Sequence, residues 1–324
     1  MIKVGIVGGA GYTAGELIRL LINHPETQIK SIYSTSQAGK PVYSIHQDLV
    51  GETDLVFSDQ LGANLDVVFL CLGHGNSKEF LQSNDLGTAK VIDLSNDFRL
   101  SKDANFDKME FLYGLPELNL EKIKKADAIA NPGCFATAIQ LALLPFASGS
   151  HLKGDVHVNA ITGSTGAGQS LSATTHFTWR NNNVSVYKAF NHQHLGEIGE
   201  SLKSLQTDFD HSLHFIPMRG NFTRGILATA YTHTTLELDE IKALYQGYYE
   251  QSAFTFVADS PIHLKQVVNT NKALLQVEKH GDQVLITSII DNLLKGASGQ
   301  AIENMNLMFG LDQQTGLKLK ANYF

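Results

Sequence analysis

Residues 2–21 read IKVGIVGGAGYTAGELIRLL. Lys3 to Val7 form a short apolar run of the kind that makes a buried strand, and Leu17, Leu20, Leu21 and Ile22 mark one apolar stripe of a helix. Between them, Gly9-Ala10-Gly11-Tyr12-Thr13-Ala14 fits GxGxxG/A, with Gly8 and Gly15 adding backbone freedom. After a strand and before a helix, such a turn can hold a pyrophosphate on backbone N–H groups and the helix N-terminus. A plain strand-to-helix turn can look the same, so the neighbouring segments matter. Further apolar strands at 29–33, 67–72 and 90–94, separated by helical or loop segments, predict a parallel sheet with crossover helices.

Beyond an apolar helix at 136–146 the pattern changes to longer alternating runs at 155–161, 213–216, 226–234, 273–278 and 283–290, which predict a mixed or antiparallel sheet. A last helix at 299–309 is expected to pack back on the first lobe. The expected fold is α/β: a Rossmann-type dinucleotide-binding domain at 1–147 plus 297–324, and an α+β domain with a mixed sheet at 148–296. A chain of 324 residues exceeds the usual size of one core, and the cleft between two lobes is the default place for a site.

The composition, 43% hydrophobic and 18% charged, is that of a globular chain and disfavours disorder. A net charge of -7 argues against binding nucleic acid through bulk positive charge. There is no run of about 18 apolar residues and no signal-peptide pattern at the start, so the expectation is a cytoplasmic protein without a membrane partner. Two cysteines, Cys71 and Cys134, are too few for a disulfide scaffold.

The end of the second strand carries Ser34, Thr35 and Ser36, with Lys40 nearby and no acid. An acid there would take a ribose 2′-hydroxyl and repel a 2′-phosphate, so hydroxyl donors favour NADP over NAD. Cys134 follows NPG and opens the apolar run FATAIQLALLPF, which puts it near a helix N-terminus, where dipole and N–H groups stabilise a thiolate. Cys71, inside VVFLCL, reads as a small core residue. NHQH supplies His192 and His194 with Glu197 close by, one of the pair being the expected acid/base for the sulfur. No third ligand accompanies this HxH, so no metal is expected. RGNFTRG offers Arg219 and Arg224 as a clamp for carboxylate or phosphate. TGSTGAGQS, residues 162–170, has small residues around Ser164 that permit close approach of a nicotinamide or substrate.

In chain order, GGAGYTAGEL, AGKP, VIDLSNDFRL, YGLPEL, NPGCFATA, TGSTGAG, NHQH, RGNFTRGI and DNLLKGASGQAIENMNLM together resemble the N-acetyl-γ-glutamyl-phosphate reductase family over nearly the whole chain. That resemblance implies an NADP-dependent enzyme of arginine biosynthesis that reduces a small-molecule acyl phosphate through a cysteine thioester, acting as a homo-oligomer. It maps the nucleophile onto Cys134 and the acid/base onto His192, with His194 as the alternate and a substrate contact. It places Gly8, Gly9, Gly11, Tyr12, Thr13, Ala14, Ser34, Thr35, Ser36, Gly73, His74, Asn292 and Gly296 near the cofactor, while the loop readings above put Ser164, Arg219 and Arg224 near the substrate. One departure stands out: family members commonly carry His-Leu where this chain has Met218-Arg219, which adds a cation and removes an imidazole. Three alternatives accompany the reading: the same chemistry on an N-succinyl substrate, an aspartate-semialdehyde dehydrogenase, and an NADP-binding regulator whose Cys134 is a core residue.

The cofactor expectation is directly testable. Ser36→Asp should shift kcat/KM toward NADH, because a carboxylate repels the 2′-phosphate and accepts from a 2′-hydroxyl; steady-state assays with both cofactors check it, and an unchanged ratio refutes it.

Overall fold

The computed structural model describes residues 1–324, which divide into two compact units: Met1–Pro132 with Ala297–Lys318, and Gly133–Gly296 with Leu319–Phe324. The first unit is built on a sheet of β1 (Ile2–Val7), β2 (Thr27–Tyr33), β3 (Val67–Leu70), β4 (Lys90–Asp93), β5 (Asn105–Phe106), β6 (Met109–Tyr113) and β7 (Ala128–Ala130). Their order is β2-β1-β3-β4-β7-β6-β5, all parallel except the short edge strand β5. Strand β1 is buried from Val4 to Val7, as a central parallel strand covered on both faces must be. Helices α1 (Tyr12–Leu21), α2 (Asn76–Ser83) and α3 (Pro116–Ile123) provide crossovers. The chain turns from β1 through α1 to β2 on one side and resumes at β3 on the other, so the glycine turn lies at the switch point of the strand order. The expected strands at 29–33, 67–72 and 90–94 are present; β6 and β7 were not expected, and β7, with three residues, is too short to carry a periodicity of its own.

In the second unit α4 (Cys134–Ser148) is followed by β8 (Val156–Thr162), α5 (Phe177–Arg180), β9 (Ser185–Val186), α6 (His194–Leu205), β10 (Leu213–Arg219), β11 (Ile226–His233), α7 (Leu238–Tyr249), β12 (Thr255–Val257), β13 (Ala273–His280) and β14 (Gln283–Ile290). The sheet order is β12-β13-β14-β11-β8-β10-β9, mixed in direction as the alternating runs predict. The expected domain boundary at residue 147 shifts to 132, because α4 packs on β11, β14 and α6 of the second unit. Every residue of α4 from Phe135 to Ala147 is buried, so this helix is core on all sides. Its Pro145 cannot donate to the carbonyl of Leu141, and the Tyr249 hydroxyl donates to that oxygen in its place at 2.5 Å.

The closing helix α8 (Gly299–Met308) belongs to the first unit, against α1 and α3. Its buried polar residues are spent on backbone there: Asn304 donates to Gly114 O at 2.8 Å, and the Ser298 hydroxyl donates to Thr13 O at 2.8 Å.

Candidate active site

The glycine turn is tied to β2 by Gly8 and Gly9, whose N–H groups both donate to Tyr33 O, at 3.1 and 3.0 Å. Gly8 has φ +80°, and a Cβ there would stand 2.6 Å from Cys71 O, so no other residue fits. His46 braces the turn through Gly9 O at 2.8 Å and fills the space where a Gly15 side chain would stand. Gly11 is the N-cap of α1 and no side chain caps it; the first turn, Tyr12, Thr13 and Ala14, contains no acid. That leaves N-terminal N–H groups and a positive helix end for an anion. Ser34 is buried, and Thr35 and Ser36 are exposed beside the turn formed by Gln37 and Lys40. These donors suit a dinucleotide with an added phosphate. His74 is exposed and its Nδ1 accepts from Asn96 N at 3.2 Å, which ties the loop after β3 to the loop after β4. The Cys71 thiol is pushed by desolvation up to about 12, which keeps it protonated and unreactive, as a core cysteine should be.

In the second unit Cys134 is the first residue of α4, after Gly133 as N-cap, so its sulfur belongs to the helix turn with unpaired N–H groups. The placement is enforced from below. Gly133 N donates to Glu197 Oε2 at 3.0 Å, and a Cβ on Gly133 would fall 2.4 Å from His194 Nε2. His194 in turn lies 3.8 Å from the Glu197 carboxylate, and both are buried. Gly296 makes a second close approach, since a Cβ there would stand 2.9 Å from Cys134 Cβ. Its N–H donates to Asp291 O, a five-residue step within the π-helical segment Leu294–Ser298. The sequence reading assigned Gly296 to the cofactor; here it makes room for the cysteine.

His192 is 5% exposed and packs edge-on against Phe135, Phe215, Tyr187 and the His194 ring, with the His192 and His194 centroids 4.5 Å apart. Its Nδ1 accepts from His194 N at 3.3 Å, which assigns the ring proton to Nε2. Burial first, then the charges of Lys188 and Arg219, lower its pKa to about 4, so the ring is neutral at pH 7. The arrangement separates the two histidines that the sequence left interchangeable: His194 is packed under the Gly133 turn, and His192 faces aromatic rings and cations.

Two expected contacts come out differently. Arg224 does not present its fork to a ligand: Nε and Nη2 bind the fully buried Asp291 at 3.0 and 3.2 Å. Asp291 also accepts from the backbone of Asn269, Leu293 and Leu294, so the pair pins the β11 and β14 ends together. Asn292, expected at the cofactor, has its Oδ1 taken by Gly225 N at 2.7 Å and its Nδ2 by Thr165 Oγ1 at 3.0 Å, bracing the loop that carries Ser164. Strand alternation sends Met218 and Arg219 to opposite faces, Arg219 to that of Phe215 and Pro217. Ser164 is half-buried and its N–H donates to Phe222 O at 2.8 Å. Sequence reasoning missed Tyr187 and Arg180. Arg219 lies over the Tyr187 ring at 4.6 Å, and Arg180 donates to Arg219 O at 2.8 Å. No motif surrounds either residue. No group of three or more His, Cys, Asp or Glu could hold a metal, and no helix is long and apolar enough to cross a membrane.

A dinucleotide turn at a switch point and a cysteine at a helix start beside a buried imidazole define a class, and two family models match it. Residues 3–126 match the semialdehyde dehydrogenase NAD binding domain and residues 134–292 the semialdehyde dehydrogenase dimerisation domain. Aspartate-semialdehyde dehydrogenase II from Vibrio cholerae, in complex with ASA, has a similar fold, with TM-score 0.72 at 15% identity over 96% of this chain and 98% of that one. The Candida albicans aspartate-semialdehyde dehydrogenase solved with NADP has TM-score 0.68 at 13% identity, covering 95% of this chain and 98% of that one. Curated proteins named N-acetyl-gamma-glutamyl-phosphate reductase from Christiangramia forsetii, Flavobacterium johnsoniae and Bacteroides thetaiotaomicron are 61%, 60% and 57% identical, each over 100% of both chains. The chain belongs to the N-acetyl-gamma-glutamyl-phosphate reductase family.

Two outcomes follow from this geometry. Gly133→Ala should cost about 1–3 kcal/mol of stability and at least tenfold in kcat, because the new methyl meets the His194 ring. Gly199→Ala in α6, with open space around it, should be neutral or stabilising; equal effects of the two in urea melts and assays would refute the steric argument. His192 has an ordinary pKa of 6.5 and about 4 in the fold, so between those values the unfolded chain binds a proton there that the native chain does not. Stability should therefore fall as pH drops through that window, and His192→Gln should flatten that part of the denaturation profile.

Proposed function

We propose that the protein reduces N-acetyl-γ-glutamyl phosphate to N-acetylglutamate 5-semialdehyde and phosphate with NADPH, in arginine biosynthesis, through a thioester on Cys134. The observation that carries the reading is Cys134 at the first position of α4, over the Gly133, His194 and Glu197 brace, with a neutral His192 packed on the neighbouring Phe135 ring. The names of relatives at 57–61% identity over the full chain support the substrate.

The helix N-terminus favours the Cys134 thiolate, which attacks the γ-carbonyl carbon; a C–S bond forms, and the C–O bond to phosphate breaks. N–H groups at the same helix end stabilise the carbonyl oxygen as it gains charge. The turn at Gly8, Gly9, Gly11, Tyr12, Thr13 and Ala14 holds the cofactor pyrophosphate, and Ser34, Thr35 and Ser36 hold the phosphate that distinguishes NADPH. When bound, the cofactor supplies the hydride that reduces the thioester. Return of the electron pair to sulfur breaks the C–S bond and releases the aldehyde. His192 holds and moves the one proton that the overall reduction consumes. Glu197 and His194 act by holding the turn under the nucleophile. The same reading takes the second unit, which matches a dimerisation domain, as the contact of a cytoplasmic homo-oligomer.

Cys134→Ser should abolish the phosphate-releasing reduction by more than about tenfold while leaving NADPH affinity within about twofold, since only the thioester needs sulfur. Assay with the acyl phosphate alongside cofactor titration checks both halves; activity within tenfold of the parent refutes the nucleophile.

A further inference from the structure

We infer that Arg180, Arg219 and Tyr187 form an oxyanion subsite that receives one carboxylate or phosphate group of the substrate beside Cys134. This rests on the proposed reaction and names the side chains that hold the substrate's charge.

The contrast between the arginines of this unit is the starting point. Arg224 has the Asp291 carboxylate, whereas the charged groups acting on Arg180 are those of Arg219 and Tyr187, with no carboxylate among them. Arg180 is 7% exposed, and the Nε–H of both Arg180 and Arg219 is buried without an acceptor. Two adjacent guanidinium groups that lack a counter-charge are costly to bury, and a bound anion offsets that cost. The site is shaped as well as charged. Arg180 donates to Arg219 O at 2.8 Å and to Thr174 O at 3.2 Å, which fixes the end of β10, and the Tyr187 ring lies under the Arg219 guanidinium at 4.6 Å. Lys188 adds a third cation that acts on His192 together with Arg219.

Position ties the subsite to the reacting sulfur. Arg219 points to the face of Phe215, whose ring is 5.2 Å from that of Phe135, the residue after Cys134. Burial pushes the Tyr187 hydroxyl up to about 12, and the Cys134 charge acts in the same direction, so tyrosine and thiolate are near neighbours. The segment between Tyr187 and His192 is held in an uncommon backbone: Lys188 and Phe190 have φ +46° and +59°. Non-glycine residues in that region store strain, a feature that concentrates at ligand sites.

The oxyanion has three chemical sources: the phosphoryl group that leaves, the glutamyl carboxylate, or a carboxylate on the acyl cap. The reverse reaction separates them, because phosphate and aldehyde are then independent co-substrates. With the full-length protein, NADP⁺, inorganic phosphate and the semialdehyde bearing an N-acetyl or N-succinyl cap, Arg219→Leu is expected to raise one KM by about tenfold or more, with kcat within about threefold. A rise for phosphate assigns the phosphoryl group, a rise for both aldehydes the glutamyl carboxylate, and a rise for the N-succinyl aldehyde alone the cap. Arg219→Lys, which keeps charge but loses the planar fork, should raise the same KM by a smaller factor, and it serves if the leucine variant does not fold. All KM values within about twofold of the parent, or a loss of kcat alone, overturn the subsite. If the parent turns over neither aldehyde, the substrate reading fails. The subsite is then read from protection of Cys134 against iodoacetamide by inorganic phosphate or succinate. Protection lost in Arg219→Leu upholds it, and equal or no protection in parent and variant overturns it.

Discussion

The Gly133 N–H donates to a buried Glu197 carboxylate, and the His194 imidazole occupies the space where a Gly133 side chain would stand. That contact sets where α4 begins, and α4 begins with the cysteine. A nucleophile one residue earlier would lie outside the helix, and a few residues later its backbone N–H would already be paired within it. Glu197 and His194 are on α6, so the packing of α6 against α4 is also the scaffold of the reactive turn. Gly296 closes the same place from another direction, because only a residue without a side chain lets the Cys134 Cβ sit where it does.

Charge around this turn is divided by burial and pairing. Asp291 accepts two bonds from Arg224 and three from backbone N–H groups, an arrangement in which a buried ion pair is fully satisfied and acts as a rivet. Arg219 and Arg180 have no such acid, and burial above all, then the charges of Lys188 and Arg219, keeps His192 neutral. At neutral pH the buried ring therefore has an unprotonated nitrogen that can accept a proton, as a weaker base than a ring of ordinary pKa. Arg219 is thus both a cation without a paired acid and one of the charges that hold the His192 ring neutral.

The first unit shows the same economy in backbone terms. Gly8 must adopt a positive φ against the Cys71 carbonyl, and the two glycine N–H groups bound to Tyr33 O aim the uncapped start of α1. Semialdehyde dehydrogenases at 13–15% identity share the fold at TM-scores of 0.68–0.72, so the fold alone does not carry the substrate. The substrate is argued from full-length relatives at 57–61% identity, not from the fold.

By itself the sequence determined whatever depends on neighbours in the chain. A strand, glycine turn and helix at 2–21 are legible because hydrophobic period and glycine placement act within a few residues, and Cys134 at a helix start is legible because NPG stops one element just before an unbroken apolar run. The alternating strands of the second half were visible for the same reason, while β7, of three residues, was too short to declare itself. Only the tertiary structure decided partners distant in sequence. Arg224 and Asp291 are 67 residues apart, and their pairing turned an expected substrate clamp into a structural rivet. Arg180 reaches Arg219 across 39 residues without a motif, and His192 and His194, two residues apart, part company through what packs on each ring. Local pattern sets conformation, but the protonation and availability of a side chain depend on desolvation and on which charges arrive from elsewhere, and those are properties of the packed molecule.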